Sequence, residues 1–405
     1  MAVSSTPMRW PNAWNDPAML DLLRGTAIDC LLIDNSDEFV AVRERAQQAG
    51  LRVLYPDDPA QGIEILKGAW PGVKMSRNGG AEAGPTGVPW VDSNGWNILL
   101  ARALRPEHEV WVDAPPDAGA FITADSYRIA FADSAAYGGR WIISLDKSLA
   151  AALAAGKTEA QGPWQRLTQT VAFFGAHKGW ADYAAAGVAG VISDFSGDNE
   201  FFSREVLNLL ARAGLHYRIL PKQNRWSTDG LRALLYVDAG KPAPALRKQM
   251  DDFVEAGGML ISPFWPKVVA GAWPLAPLDK YFISNAGKGK IVTCKSPSDD
   301  PYVFANDAVV LVSHRYDMVR FWNSGATASF YTLAPDRRGA VVHLLFYSYR
   351  GPDAASVRIA GKYRAVRAAT VENADVAGVQ LEPQRDAVEI HLPQVSQYVA
   401  LELEA

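Results

Sequence analysis

Five apolar runs between Gly187 and Trp265 decide the fold. They are GVAGVISD (Gly187–Asp194), SREVLNLLARA (Ser203–Ala213), HYRIL (His216–Leu220), LRALLYVD (Leu231–Asp238) and GGMLIS (Gly257–Ser262), the last preceded by a helix near Ala243–Ala256. In the second run Val206, Leu209 and Leu210 stand at helical spacing, and Gly214 follows as a C-cap. The strand-like runs are continuously apolar rather than alternating, as strands of a parallel sheet must be when helices cover both faces. The segment reads as a small doubly wound α/β unit.

N-terminal to it, strands and helices alternate. Ala27–Asn35 (AIDCLLIDN) reads as a buried strand, Asp37–Ala49 as a helix closed by Gly50, Leu51–Pro56 as a strand, Ala60–Gly68 as a short helix and Val73–Arg77 as a third strand. A glycine-rich loop, Asn78–Val88, leads into Asp92-Ser93-Asn94, which caps a helix through Leu104. Glu109–Asp113 and Arg140–Asp146 read as strands around a helix at Ala124–Tyr137, and a helical region continues to about Ala186. Such alternation implies a parallel sheet or barrel. On the C-terminal side, Gly287–Cys294 returns a strand to the α/β unit, and Val312–Asn323 reads as an exposed loop entering a helix. From Ala326 onward strands dominate. The alternation in VEIHLP and YVALELE implies an antiparallel sandwich with one solvated face.

The phrases GLHYRIL, LRALLYVD and above all MDDFVEAGGMLIS resemble the second domain of family-42 β-galactosidases and related glycoside hydrolases. The last phrase has a physical basis: an amphipathic helix ends at Ala256, and Gly257-Gly258 turn the chain tightly into the next strand. The resemblance implies an α/β chain in three parts: a TIM-like barrel over residues 1–186, a flavodoxin- or amidotransferase-like domain over 187–325, and a small antiparallel β-sandwich over 326–405. Only about five strands precede residue 187, whereas a complete barrel needs eight, so the barrel is expected to be reduced or partial. In that family the second domain mediates trimer formation, which implies a homo-oligomer, most simply a trimer. Phe201, Phe202, Phe264, Trp265 and Trp273 are the residues that could form its apolar patch.

Composition narrows the function. The chain has 405 residues, 49% hydrophobic and 21% charged, with a formal net charge of −4. No Lys/Arg run makes a nucleic-acid footprint, and no uninterrupted apolar segment approaches ~20 residues, so neither nucleic acid nor membrane is an expected partner. Cys30 and Cys294 sit in strand-like runs and are read as buried free thiols, with a disulfide as the alternative; no metal-type spacing exists. GxSxG, P-loop, HExxH and complete GxGxxG motifs are lacking, so no cofactor or metal is expected. The opening MAVSSTPMRWPNAW has no basic segment followed by an apolar one. It fits a cytoplasmic protein by default, or a periplasmic or secreted one whose export signal is not in this sequence.

Chemistry is sought at the C-terminal ends of the first strands. Glycosidases generally set two carboxyls across the scissile bond, and the strand ends offer Asp34, Asp113 and Asp146 as catalytic candidates. Each has a structural alternative. Asp146 can cap the helix from Lys147, Asp113 can form an Asx-turn before Pro115-Pro116, and Asp34 leads a turn whose cap Ser36 or Asp37 can supply. In the barrel glycosidases the acid is a Glu near the end of strand four, often after Asn. Here that segment reads Trp111-Val112-Asp113-Ala114-Pro115, a departure that puts the standard mechanism in doubt. Arg77 and Asn78, then Trp90, Asp92, Asn94 and Trp96, are the candidate saccharide-binding residues: indole rings stack on sugar CH faces while Asp and Asn meet hydroxyls. Their structural alternative is a helix cap with core tryptophans. The acidic loop Asp194, Asp198, Glu200 lies after the first strand of the doubly wound unit, where such sheets bind ligands. The leading expectation is a glycoside hydrolase acting on an oligo- or polysaccharide. The rival is a catalytically silent relative that binds sugar or assembles a complex.

Overall fold

The computed structural model describes residues 5–56, 58, 60–75, 89–264, 273–274, 280–297, 299–322, 325–348 and 354–405. Strands β1 (Pro7–Arg9), β2 (Cys30–Leu32) and β3 (Arg52–Leu54) pair in parallel, and so do β4 (Ile63–Lys67), β5 (Glu109–Asp113) and β6 (Arg140–Trp141). A parallel bridge from Met8 to Ile143 joins the two sets, with the Arg9 amide donating to the Ile143 carbonyl at 2.8 Å. The order is therefore β3-β2-β1-β6-β5-β4, sequential around a curl that opens between β3 and β4. No closed barrel forms among the described residues.

Alternation along these strands sorts their side chains onto two faces. Cys30, Leu32, Trp111 and Ile142 make a small inner cluster, joined by Leu54, Ile63 and Ile65. Met8, Leu31, Ile33, Val110, Val112, Trp141 and Ile143 belong to the outer cluster, shared with helices α1 (Val40–Gln48), α2 (Gly95–Leu104), α3 (Ala124–Ala136), α4 (Lys147–Ala154) and α5 (Thr158–Ala176). The expected helix at Ala60–Gly68 is instead β4. Its two β-branched residues, Ile63 and Ile65, fill the inner face, and Gly62 at φ 87° breaks the chain just before it.

The doubly wound reading of the next stretch describes its sheet well. Strands β7 (Ala189–Ser193), β8 (Tyr217–Pro221), β9 (Ala233–Tyr236), β10 (Met259–Ser262), β11 (Tyr281–Ala286) and β12 (Gly289–Cys294), with a two-residue edge at Trp273–Pro274, form a seven-stranded sheet in the order β8-β7-β9-β10-β12-β11-edge. Helices α6 (Glu200–Arg212) and α8 (Pro301–Val312) bury Val206, Leu210 and Phe304 on one face. Helix α7 (Pro244–Glu255) buries Leu246, Met250 and Phe253 on the other. Where α7 meets β12 only glycine fits: a Cβ at Gly289 would lie 2.1 Å from the Gly258 carbonyl oxygen and 2.3 Å from that of Val254. The loop expected at Val312–Asn323 is different in kind. Helix α8, largely apolar apart from Asn306 and Asp307, ends at Val312; Ser313 turns the chain at φ 76°, and strand β13 (Val319–Phe321) follows.

The remaining strands are β14 (Thr327–Leu333), β15 (Gly339–Phe346), β16 (Ala355–Ala360), β17 (Ala365–Ala369), β18 (Gln380–Pro383), β19 (Ala387–Leu392) and β20 (Tyr398–Glu404). They form two antiparallel sheets, β17-β20-β15-β14 and β13-β16-β19-β18, which bury one cluster containing Val342, Leu344, Val357, Ile359, Ile390 and Leu401. Residues Ala184–Ala185 add a short strand to β14, tying the end of the first part to this sheet. The expected apolar patch is described only in part. Phe202 is buried against Phe264 and Phe304, leaving Phe201 exposed; Trp265 and the Trp273 side chain lie outside the described residues. Cys30 and Cys294 are both free and buried, and burial pushes the Cys30 thiol up to about 12.

Candidate site at the mouth of the parallel sheet

Register places the polar ends of three inner-face rows together. Arg9 stands beside Leu32, and Lys67 and Asp113, paired with each other, continue the inner face just beyond Ile65 and Trp111. The Arg9 guanidinium crosses β6 to reach Asp113, Nη2 to Oδ2 at 2.8 Å, with both side chains about a quarter exposed. Neither Arg9 Nε nor Asp113 Oδ1 has a hydrogen-bond partner among the described residues. The pair is thus incompletely satisfied and stands at the C-terminal ends of parallel strands. Arg9 escaped the sequence reading because Pro7–Arg9 is too short for periodicity to reveal; the basic residue ending an apolar triplet was the only sign.

The other two candidate carboxylates make local contacts. Asp34 is exposed, and its Oδ1 accepts from the Ser36 amide at 2.9 Å in an Asx-turn. Asp146 is 2% exposed. Its Oδ1 caps α4 by accepting from the amides of Ser148 (3.0 Å) and Leu149 (3.1 Å), and its Oδ2 accepts from the Tyr127 hydroxyl at 3.1 Å. The structural alternative for Asp146 describes its contacts fully.

The expected saccharide loop is a junction. Asn94 is 6% exposed at the start of α2, but its side chain makes no cap bond. Its Oδ1 accepts from the Ala69 amide (2.9 Å), and its Nδ2 donates to the Ala69 carbonyl (3.0 Å) and to Asp133 Oδ2 (3.0 Å). Fully buried Asp133 also accepts from the Tyr347 hydroxyl at 2.6 Å, which binds α3 to the end of β15. Arg212 of α6 lies 3.6 Å over the Trp90 ring, reaches Asp92 Oδ1 at 3.4 Å and donates to the Val91 carbonyl. Burial pushes the Arg212 guanidinium below the usual arginine value. Trp96 packs against the core of the seven-stranded sheet. Arg77 and Asn78 lie outside the described residues.

At the carboxyl ends of the doubly wound sheet, Lys222 Nζ sits 2.5 Å from Asp194 Oδ2 and 2.6 Å from Asp238 Oδ2. Desolvation raises the Asp194 carboxyl, but hydrogen bonds from Lys222 and the Ser196 amide outweigh it and leave its pKa below the ordinary value. Glu200 pairs with Arg204 within α6. Lys222 and Arg204 thus engage the carboxylates of Asp194, Asp238 and Glu200. Among the described residues no group of three His, Cys, Asp or Glu could hold a metal, and no helix is long and apolar enough to cross a membrane.

No protein-family model matches the chain, and no curated protein does. Solved structures do. The α-L-fucosidase isoenzyme 2 from Paenibacillus thiaminolyticus matches with a TM-score of 0.56 at 12% identity, over 96% of this chain and 80% of that one. A β-galactosidase from Bacillus circulans sp. alkalophilus matches with a TM-score of 0.48 at 8% identity, over 88% of this chain and 66% of that one. The β-galactosidase from the Antarctic haloarchaeon Halorubrum lacusprofundi gives 0.43 at 13% identity, over 97% and 66%. The chain spans just under two thirds of either β-galactosidase. At 12% identity, the likeness to the fucosidase is one of fold alone.

Proposed function

We propose that the chain is a carbohydrate-active relative of the barrel glycoside hydrolases that takes a saccharide at the mouth of its parallel sheet. In this reading residues 1–186 are a shortened barrel, 187–325 a flavodoxin-like unit and 326–405 a sandwich. One observation carries it: the Arg9–Asp113 pair stands at the C-terminal ends of sequentially ordered parallel strands, the position from which barrel enzymes work. Asp113 acts on the sugar as nucleophile or base, Arg9 and Lys67 orient it, and Asp34, two residues beyond Leu32 on the same alternation, supplies the second carboxyl. Asn94 and Asp146 serve the scaffold, and Trp90, Asp92 and Trp96 hold the mouth's flank to α6.

A second reading, binding without cleavage, is favoured by the way the carboxylates are engaged. Asp113 Oδ2 is held by Arg9, and Asp146 is consumed by α4 and Tyr127. Product release from aryl-glycosides and oligosaccharides, measured alongside calorimetric binding, separates the two. Turnover that vanishes in Asp113→Asn supports hydrolysis. Binding without turnover, weakened in the variant, selects the second reading. Full activity in Asp113→Asn, or a wild type that neither binds nor cleaves, removes the mouth from consideration.

A further inference from the structure

Away from the mouth, a cleft of ≈ 410 Å³ opens between α2 and the edge strand β8. That volume suits one or two sugar rings, since small-molecule sites run from about 300 to 1,000 Å³. Its walls include Arg102, Asp182, Arg218, Trp226, Ser227 and Phe330. Arg102 is a fixed wall: its Nη1 and Nη2 donate to the carbonyls of Tyr137 and Ala181, each at 2.8 Å. Arg218 is less committed. It donates through Nη2 to the Ser227 carbonyl, while its Nε has no partner, and the Trp226 indole N–H lacks one too among the described residues. Covered donors without acceptors are costly, and an acceptor-bearing ligand that draws these side chains towards it relieves that cost. Charge points the same way: two arginines line the cleft against one carboxylate, the exposed Asp182, while Arg337 and Asp229 near Arg218 pair with each other at 3.6 Å. The aromatic faces of Trp226 and Phe330 supply the apolar complement.

We propose that this cleft is a ligand site for a carboxylate-bearing sugar ring of the uronate class, with Arg218 holding the carboxylate and Trp226 stacking on the ring. A guanidinium fork matches a carboxylate in shape and charge, and an indole face matches the CH face of a pyranose. The site is distinct from the mouth, since Arg9, Lys67 and Asp113 do not line it. Calorimetry with galacturonate and glucuronate trisaccharides, against galactose and glucose trisaccharides as neutral counterparts, tests it. At least one uronate should bind roughly tenfold more tightly than its neutral counterpart, and Arg218→Gln should erase that preference. Trp226→Ala, which keeps the carbonyl that accepts from Gln249, should weaken the same ligand. The proposal is overturned if neither uronate binds, if neutral sugars bind equally, or if both cleft variants bind as the wild type does.

Discussion

Asp133 tests the packing argument most sharply. Its Oδ2 accepts from the Asn94 amide at 2.9 Å and from Asn94 Nδ2 at 3.0 Å, and its Oδ1 accepts from the Tyr347 hydroxyl at 2.6 Å. Burial raises its carboxyl from 3.8 to about 6, with the hydrogen bonds from Tyr347 and Asn94 opposing that rise. A folded pKa above the unfolded one means that the folded state binds this proton more tightly. The resulting stabilisation is fully present below about pH 3.8 and is lost as pH rises through about 6. A displacement of roughly two pH units, at about 1.4 kcal/mol each, gives about 3 kcal/mol. Asp133→Asn carries no such proton, and the other titrating groups are common to both proteins. Urea unfolding from pH 4 to 7.5 should therefore show the stability of the wild type, relative to the variant, falling by about 3 kcal/mol as pH rises. Tyr347→Phe removes a donor that favours the charged form, so its fall should extend to higher pH. A wild-type-to-variant difference that is flat in pH, or that grows with pH, would refute the reasoning.

Four further outcomes follow from named contacts. Asp146→Ala loses the α4 cap and strands the buried Tyr127 hydroxyl, and thermal unfolding should register a loss of about 2–4 kcal/mol. Gly68→Ala sets a Cβ 2.3 Å from Val112 Cγ1, so chemical denaturation should show about 1–3 kcal/mol of destabilisation. Arg212→Met removes the stack on Trp90 and the bonds to Val91 and Asp92; limited proteolysis should then cut the segment around Trp90 faster than in the wild type, and equal rates would show the junction held by other contacts. Asp113→Asn should change stability by under about 1 kcal/mol, since a partly exposed ion pair contributes little, while removing saccharide turnover or binding.

The elements most legible in the sequence were those with a single structural solution. The continuous apolar runs Gly187–Asp194 and Leu231–Asp238, alternating with helices, read as strands covered on both faces, and their cores at Ala189–Ser193 and Ala233–Tyr236 are such strands. Segment Ile63–Lys67 misled because five residues cannot distinguish a strand from a turn of helix by periodicity, and pairing with Glu109–Asp113 decides it. Helix α8 went unread for a different reason: only Asn306 and Asp307 interrupt its apolar run after Tyr302, so no clear amphipathic stripe marks it. At the site, Asp113 was visible as a polar residue ending an apolar strand. Arg9 was not, since its significance comes from a long-range bridge, Met8 to Ile143, that no local pattern encodes.

The aromatic, acidic segment Trp90–Trp96 is attractive in the sequence as a binding loop and is built as a joint. An Asp, an Asn and two tryptophans serve equally well for gripping a sugar or for gripping an arginine, an amide and a neighbouring helix. What separates the two uses is how far the polar atoms are already paired. Asn94 at 6% exposure satisfies its side chain on Ala69 and Asp133, and Asp92 is met by Arg212 and by the Trp90 indole, so their hydrogen-bonding capacity is directed inward. Arg9 and Asp113 meet each other but leave Nε and Oδ1 unpaired among the described residues. Polar capacity left unspent at the C-terminal ends of parallel strands is the ground on which a saccharide site is proposed there.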